Sequence, residues 1–142
     1  MTFVVNFTVD GQPHGKGRPR FRSFGKFVQT YTDSKTRTYE SLVKDAAKQA
    51  MGSSDPIEGP VRLDLVIRLP VPKSYPKKRS DACLNGSEWP TKKPDWDNVA
   101  KSVADAMKDI VFLDDTQIVI AKIVKRYSAE AGVDVQVSEV LE

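Results

Sequence analysis

From Val61 to Arg68 the chain reads VRLDLVIR. Val61, Leu63, Leu65 and Ile67 fall on one side of an extended chain, and Arg62, Asp64, Val66 and Arg68 on the other. Successive side chains of a strand point to opposite faces, so this alternation predicts a strand with one apolar face. A strand of this kind needs neighbouring strands and a covering layer. FVVNFTVDG, near the N-terminus, alternates in the same way and ends in a turn signal, which predicts a strand over 2–9. TQIVIAKIVKRYS and VDVQVSEV read as two more strands, and the short AEAG between them predicts a hairpin.

The covering layer is legible as a change of period. From 34 to 51, Tyr39, Leu42, Val43, Ala46, Ala47 and Ala50 recur at helical spacing, with Asp33 or Ser34 as cap and GSSDP as stop. A second helix is expected over 97–110, where Val99, Val103, Ala106 and Ile110 form the apolar stripe. Residues 12–28 are rich in Gly and Pro and read as a loop with a short strand near Phe27 and Val28. Residues 70–94 form a lysine- and proline-rich loop without sustained period; loops this long in a compact domain are usually functional or mobile. The order predicts one α+β domain over 1–142: a mixed sheet packed by two main helices. A chain of 142 residues suffices for a single core.

The single cysteine, Cys83, excludes an internal disulfide and a cysteine-based zinc site, and its polar surroundings read as an incidental loop position. The one histidine, His14, cannot build a histidine-rich metal site. No basic leader or long apolar run opens the chain, and no stretch approaches the roughly 20 apolar residues of a membrane span. A cytoplasmic protein without membrane contact or small-molecule cofactor is the expectation.

Formal net charge is only +3, so the distribution carries more information than the total. Lys16, Arg18, Arg20, Arg22, Lys26, Lys35 and Arg37 crowd the segment 12–39, and Lys73, Lys77, Lys78, Arg79, Lys92 and Lys93 the segment 70–94. Between 95 and 115 the sign reverses: Asp95, Asp97, Asp105, Asp109, Asp114 and Asp115 stand against Lys101 and Lys108. Surfaces with no special duty mix their signs.

Two explanations compete for the acidic centre. Asp97 suits a helix N-cap, with Lys101 as an i,i+4 partner of Asp97 or Asp105. Capping leaves Asp95 and the Asp114–Asp115 pair without purpose. A divalent-metal site gives Asp95, Asp97 and Asp115 a purpose: Mg²⁺ takes hard oxygen ligands and keeps several waters, so two or three carboxylates suffice. Asp95 and Asp97 share one face of an extended chain, and a return through 111–114 would bring Asp115 beside the helix start. With basic flanks for phosphate, this predicts metal-assisted phosphodiester cleavage.

GKGRPRF and YTDSKTRTYE, followed by KPDWDNVAKSVADAM and FLDDTQI, resemble the RusA family of Holliday junction resolvases, which is common in bacteria and their prophages. The resemblance spans about 12 to 127. It implies an Mg²⁺-dependent (Mn²⁺ as substitute) homodimeric endonuclease that resolves four-way DNA junctions in recombination and repair, leaving 5′-phosphate and 3′-hydroxyl ends. It implies Asp95, Asp97 and Asp115 as metal-binding catalytic carboxylates and Lys101 as catalytic lysine, with Asp114 a neighbour rather than a ligand. Lys16, Arg18 and Arg20 match the family's basic N-terminal motif, and Lys77, Lys78 and Arg79 are further candidate DNA contacts, the alternative being a solvated charged surface. Trp96 is a candidate wedge between bases or a packing aromatic; Trp89 and Tyr75 are candidates for base stacking or for anchoring their loop. Asn98 would orient a carboxylate or merely occupy the first helical turn. The remaining alternatives are a non-catalytic branched-DNA binder and a nuclease acting on flaps or forks.

Overall fold

The computed structural model describes residues 2–16, 20–24, 27–31 and 34–141, and for 20–24 and 27–31 the backbone. Strands β1 (Val4–Asp10), β4 (Val61–Pro70), β5 (Ile118–Ser128) and β6 (Gly132–Glu139) form one mixed sheet in the order β1-β6-β4-β5. Strands β2 (Arg20–Phe24) and β3 (Phe27–Tyr31) form a separate antiparallel hairpin, fuller than the short strand expected near Phe27. Helix α1 (Ser34–Met51) has the expected bounds, while Asp33, its alternative cap, lies outside the described residues.

The alternation that defines β4 is realised in full. Val61, Leu63, Leu65, Ile67 and Leu69 are buried, while Arg62, Asp64, Val66 and Arg68 lie at intermediate depth on the opposite face. Tyr39, Val43, Ala47 and Met51 of α1, and Val99, Val103, Ala106 and Met107 of α3 (Trp96–Met107), join this core. These two helices are the main packing layer. Leu42, counted in the α1 stripe, is instead exposed at its edge.

The 118–128 and 132–139 strands do not form a hairpin. β4 lies between them, parallel to β5 and antiparallel to β6. Ser128 is aligned with Pro70 and Gly132 with Arg68, so the short link crosses the end of β4. Arg68 holds that crossing: its Nη1 donates to Glu130 O at 2.7 Å and its Nε to Asp134 Oδ2 at 3.1 Å. Alternation reports which face of a strand is buried but not which strand lies beside it, and a short link suggests a hairpin by default.

The lysine-rich segment also differs from expectation. Lys77–Leu84 is a helix, α2, whose weak amphipathicity hides it from periodicity. Cys83 is buried in α2 rather than lying in a polar loop, and burial pushes its thiol pKa up. Helix α3 ends at Met107, short of Ile110, because the chain turns through Asp109 at φ 65° and places Val111 and Phe112 fully in the core. Aspartate tolerates that left-handed conformation better than most residues. Ile57 N donates to Val111 O at 2.8 Å, which pins the turn to the link between α1 and β4.

Candidate active site

Asp95, rather than Asp97, occupies the N-cap position of α3, and its side chain makes no capping hydrogen bond. Asp97 lies in the first turn, and Lys101 pairs with Asp105 instead of with it. Capping therefore accounts for neither carboxylate. Both are exposed and line one open hollow with Thr91, Lys92, Lys93, Trp96 and Lys125. Among the described residues neither is ion-paired; Lys125, which lines the same hollow, donates to Lys92 O at 2.8 Å. Asn98 Nδ2 approaches Asp95 Oδ2 at 3.5 Å, the long limit of a hydrogen bond.

Asp115 is brought to α3 by a turn that the sequence motif encodes. Gln117 Oε1 accepts from Leu113 N at 2.8 Å and Asp114 N at 2.9 Å, while its Nε2 donates to Ile57 O at 2.7 Å and Gly59 O at 2.8 Å. One side chain thus ties the Asp114–Asp115 turn to the segment entering β4. Asp114 is occupied locally: Thr116 Oγ1 donates to its Oδ2 at 2.9 Å, and that bond, with further contributions, lowers its pKa. Asp115 Oδ2 accepts from Lys101 Nζ at 3.3 Å, and Lys108 Nζ lies between the two aspartates, 3.7 Å from Asp114 Oδ1 and 3.8 Å from Asp115 Oδ2. The structure therefore ties Asp115 to Lys101 of α3, and the two adjacent aspartates, which share Lys108, differ in their hydrogen-bond donors, Thr116 for Asp114 and Lys101 for Asp115.

Lys101 lies between two carboxylates, with Asp105 Oδ1 also at 3.3 Å. The hydrogen bond to Asp115 and then the charge of Asp105 raise its pKa. It is a permanent cation at neutral pH, on the same helix that begins with Asp95 and Asp97.

The basic candidates divide. Lys16 turns inward, donating to Asp105 Oδ2 at 2.6 Å and Glu40 Oε1 at 3.2 Å, so its ammonium is not directed to solvent. Arg18 lies outside the described residues, as does the side chain of Arg20. Lys77 and Lys78 are exposed at the start of α2. Arg79 lies over the Tyr75 ring at 3.8 Å and donates to Glu88 Oε1 at 3.1 Å. Tyr75 is thus an anchor of its segment. Trp89 and Trp96 are more than half exposed, at 56% and 57%. Sequence reasoning missed Gln117 as a structural pin, although the invitation was visible: a lone amide after two acids and a threonine, before an apolar strand.

Among the described residues, no three Asp, Glu, His or Cys side chains converge as a metal cage. Asp95 and Asp97 nonetheless suit a hard dication, because they offer oxygen donors to one hollow and no salt-bridge partner competes for them. Mg²⁺ keeps several waters and takes further oxygens from substrate phosphate, so an all-protein cage is not required.

A profile described as endodeoxyribonuclease RusA matches residues 10–138. This chain belongs to the RusA endodeoxyribonuclease family. It is therefore an endodeoxyribonuclease of the Holliday junction resolvase class, hydrolysing phosphodiester bonds and binding branched DNA. It is also similar to an uncharacterized protein, YqaN, of Bacillus subtilis (strain 168), at 36% identity over 138 residues and 96% of each chain. The matched span begins at Asp10, the last residue of β1, and ends within β6, so β4, β5, both packing helices and the acidic centre fall within it. No described helix is long and apolar enough to cross a membrane.

Proposed function

We propose that this RusA-family chain is a Mg²⁺-dependent homodimer that resolves four-way DNA junctions by paired, symmetric nicks during recombination and repair. The observation that carries the reading is the exposed pair Asp95 and Asp97, left without cap bond or salt bridge at the start of the helix that carries Lys101. Like charges kept this close and uncompensated call for a cation. Asp95 and Asp97 would hold it, with Asp115 as the third carboxylate. A bound Mg²⁺, or Mn²⁺ in its place, supplies an activated water and neutralises charge on the phosphate.

The chain's own residues do the rest. Lys101 offers a positive charge to the phosphate or to the departing oxygen, a role that matters more as the reaction proceeds and charge accumulates. Pairing with Asp115 keeps that ammonium on the acidic side of α3 before substrate arrives. Lys77, Lys78, Arg79, Arg18 and Arg20 are the proposed phosphate contacts that place the junction, since backbone contacts position a duplex without reading its sequence. Two protomers related by a two-fold axis suit a junction that must be cut at two symmetric points.

The test is cleavage of a mobile four-way junction with and without Mg²⁺, beside flap and fork substrates. The proposal expects paired nicks with 5′-phosphate ends only when metal is added, and a light-scattering mass about twice the 15.8 kDa chain. Preference for flaps or forks over junctions would move the substrate assignment, and metal-independent cleavage would overturn the mechanism.

A further inference from the structure

Asp105 has no part in the proposed site, yet three ammonium groups converge on it. Lys16 Nζ lies 2.6 Å from Oδ2, while Lys101 Nζ and Lys108 Nζ lie 3.3 and 3.5 Å from Oδ1. The carboxylate is only 14% exposed. Oδ1 itself is buried and has no well-aligned donor, so it is held by ion pairs rather than by a directed hydrogen bond. An acid at this depth is tolerated only if compensated.

The connections form a chain across the molecule. Glu40 of α1 pairs with Lys16, Lys16 with Asp105, Asp105 with Lys101, and Lys101 with Asp115. Lys16 is fixed by its backbone too: its N–H donates to Asn98 O at 2.9 Å. Gly15 runs so close to α3 that an added Cβ would lie 3.0 Å from Asn98 Cβ, so the backbone itself is seated on the helix. In sequence this seated segment precedes β2. A lysine has a long, flexible stem, and one partner leaves its ammonium free to swing. Two carboxylate partners, one of them buried and itself held by Lys16 and Lys108, restrict it.

We infer that Asp105, braced by Lys16, is a positioning residue that sets the Lys101 ammonium against Asp115 and docks Gly15 and Lys16 onto α3. The inference rests on the role proposed above for Lys101. Burial pushes the Asp105 carboxyl up, but the hydrogen bond and charge of Lys16 and the charge of Lys101 outweigh it and hold the group below the usual range. Asp105 is therefore ionised under any ordinary assay condition.

The test is a double-mutant cycle on single-turnover cleavage of a pre-bound four-way junction, with Mg²⁺ added, a gel-shift in EDTA and a thermal melt on each variant. Lys101→Ala should slow cleavage by about 10²- to 10³-fold, the usual cost of losing one transition-state charge partner. Asp105→Asn keeps the shape and removes the charge; it should slow cleavage about tenfold or more, since small misplacements of a catalytic group are costly. In the Lys101→Ala background Asp105→Asn should add little, because the group it positions is gone. Asp105→Glu should recover part of the rate. If Asp105→Asn melts too low to assay, Lys16→Met provides the same cycle, with a several-fold loss that also vanishes beside Lys101→Ala. Full multiplication of the two losses would overturn the positioning role while leaving Lys101 in place. Unchanged cleavage in Lys101→Ala would instead remove the proposed role of Lys101 and the inference with it. A Lys16→Met defect confined to weaker binding, with a shallower salt slope, would make Lys16 a phosphate contact and overturn the bracing role.

Discussion

The two parts of α3 treat aspartate in opposite ways. At its start, Asp95 and Asp97 are exposed and lack salt bridges among the described residues. Two turns further on, Asp105 is surrounded by Lys16, Lys101 and Lys108. The difference shows that acidity in this helix is not one feature. Compensated acid locks parts of the chain together; acid without an ion pair is, on the proposed function, held for a ligand that brings its own charge. Lys101 stands between the two regimes, ion-paired with both Asp105 and Asp115.

The strongest way to sharpen this contrast is to neutralise the proposed ligands outside the helix interior. Asp95→Asn and Asp115→Asn should each reduce Mg²⁺-dependent nicking by several orders of magnitude, while the melting temperature stays close to that of the unchanged protein. Near-normal nicking in either would remove that residue from the ligand set. A smaller effect is expected from Gln117→Ala, which breaks four hydrogen bonds of the turn beneath Asp115. Water can replace some of them, so a chemical denaturation curve should show a loss of about 1–3 kcal/mol, with slower nicking. An unchanged midpoint would mean that the turn is held by other contacts.

Charge reversal at the exposed basic helix α2 should be milder still. Lys77→Glu or Lys78→Glu should weaken junction binding across sequences and lower the salt-dependence slope by about one unit per lost phosphate contact. An unaltered slope would return these lysines to a solvated surface. The smallest effect concerns pH. The Asp105 pKa is lowered in the folded chain, so its contribution is present above the ordinary aspartate value of about 4 and is lost as pH falls through the folded value. Thermal melts of the unchanged protein and Asp105→Asn should differ at neutral pH and converge in acid below about pH 4. A difference that persists there would show that the charge of Asp105 is not what stabilises the fold.

Much of the fold was legible because it depends on local period. The alternation of β4 and the stripe Tyr39, Val43 and Ala47 of α1 each state a buried face directly. Strand order was not legible. The crossing of β5 to β6 over β4 depends on Arg68 reaching Glu130 and Asp134, contacts separated by more than 60 residues in the chain. Helix α2 escaped because only Cys83 among its residues is buried. In the site, motif spacing brought Asp95, Asp97, Lys101 and Asp115 to attention, but not the partners that distinguish them. Lys16 is the clearest case: its sequence neighbours are basic, yet its nearest charges in space are Asp105 and Glu40.

The central claim is that the carboxylates at the start of α3 serve a metal and not the helix. Asp97→Asn tests it most directly, because in the first turn asparagine forgoes only a helix-dipole interaction of about 0.3–1 kcal/mol but lacks the charge that Mg²⁺ requires. The measurement is Mg²⁺-dependent nicking of a four-way junction, beside a gel-shift in EDTA and a thermal melt. The account predicts a nearly unchanged melt, retained or tighter junction binding as a repulsive charge is lost, and nicking reduced by orders of magnitude. Full nicking activity in Asp97→Asn would contradict it.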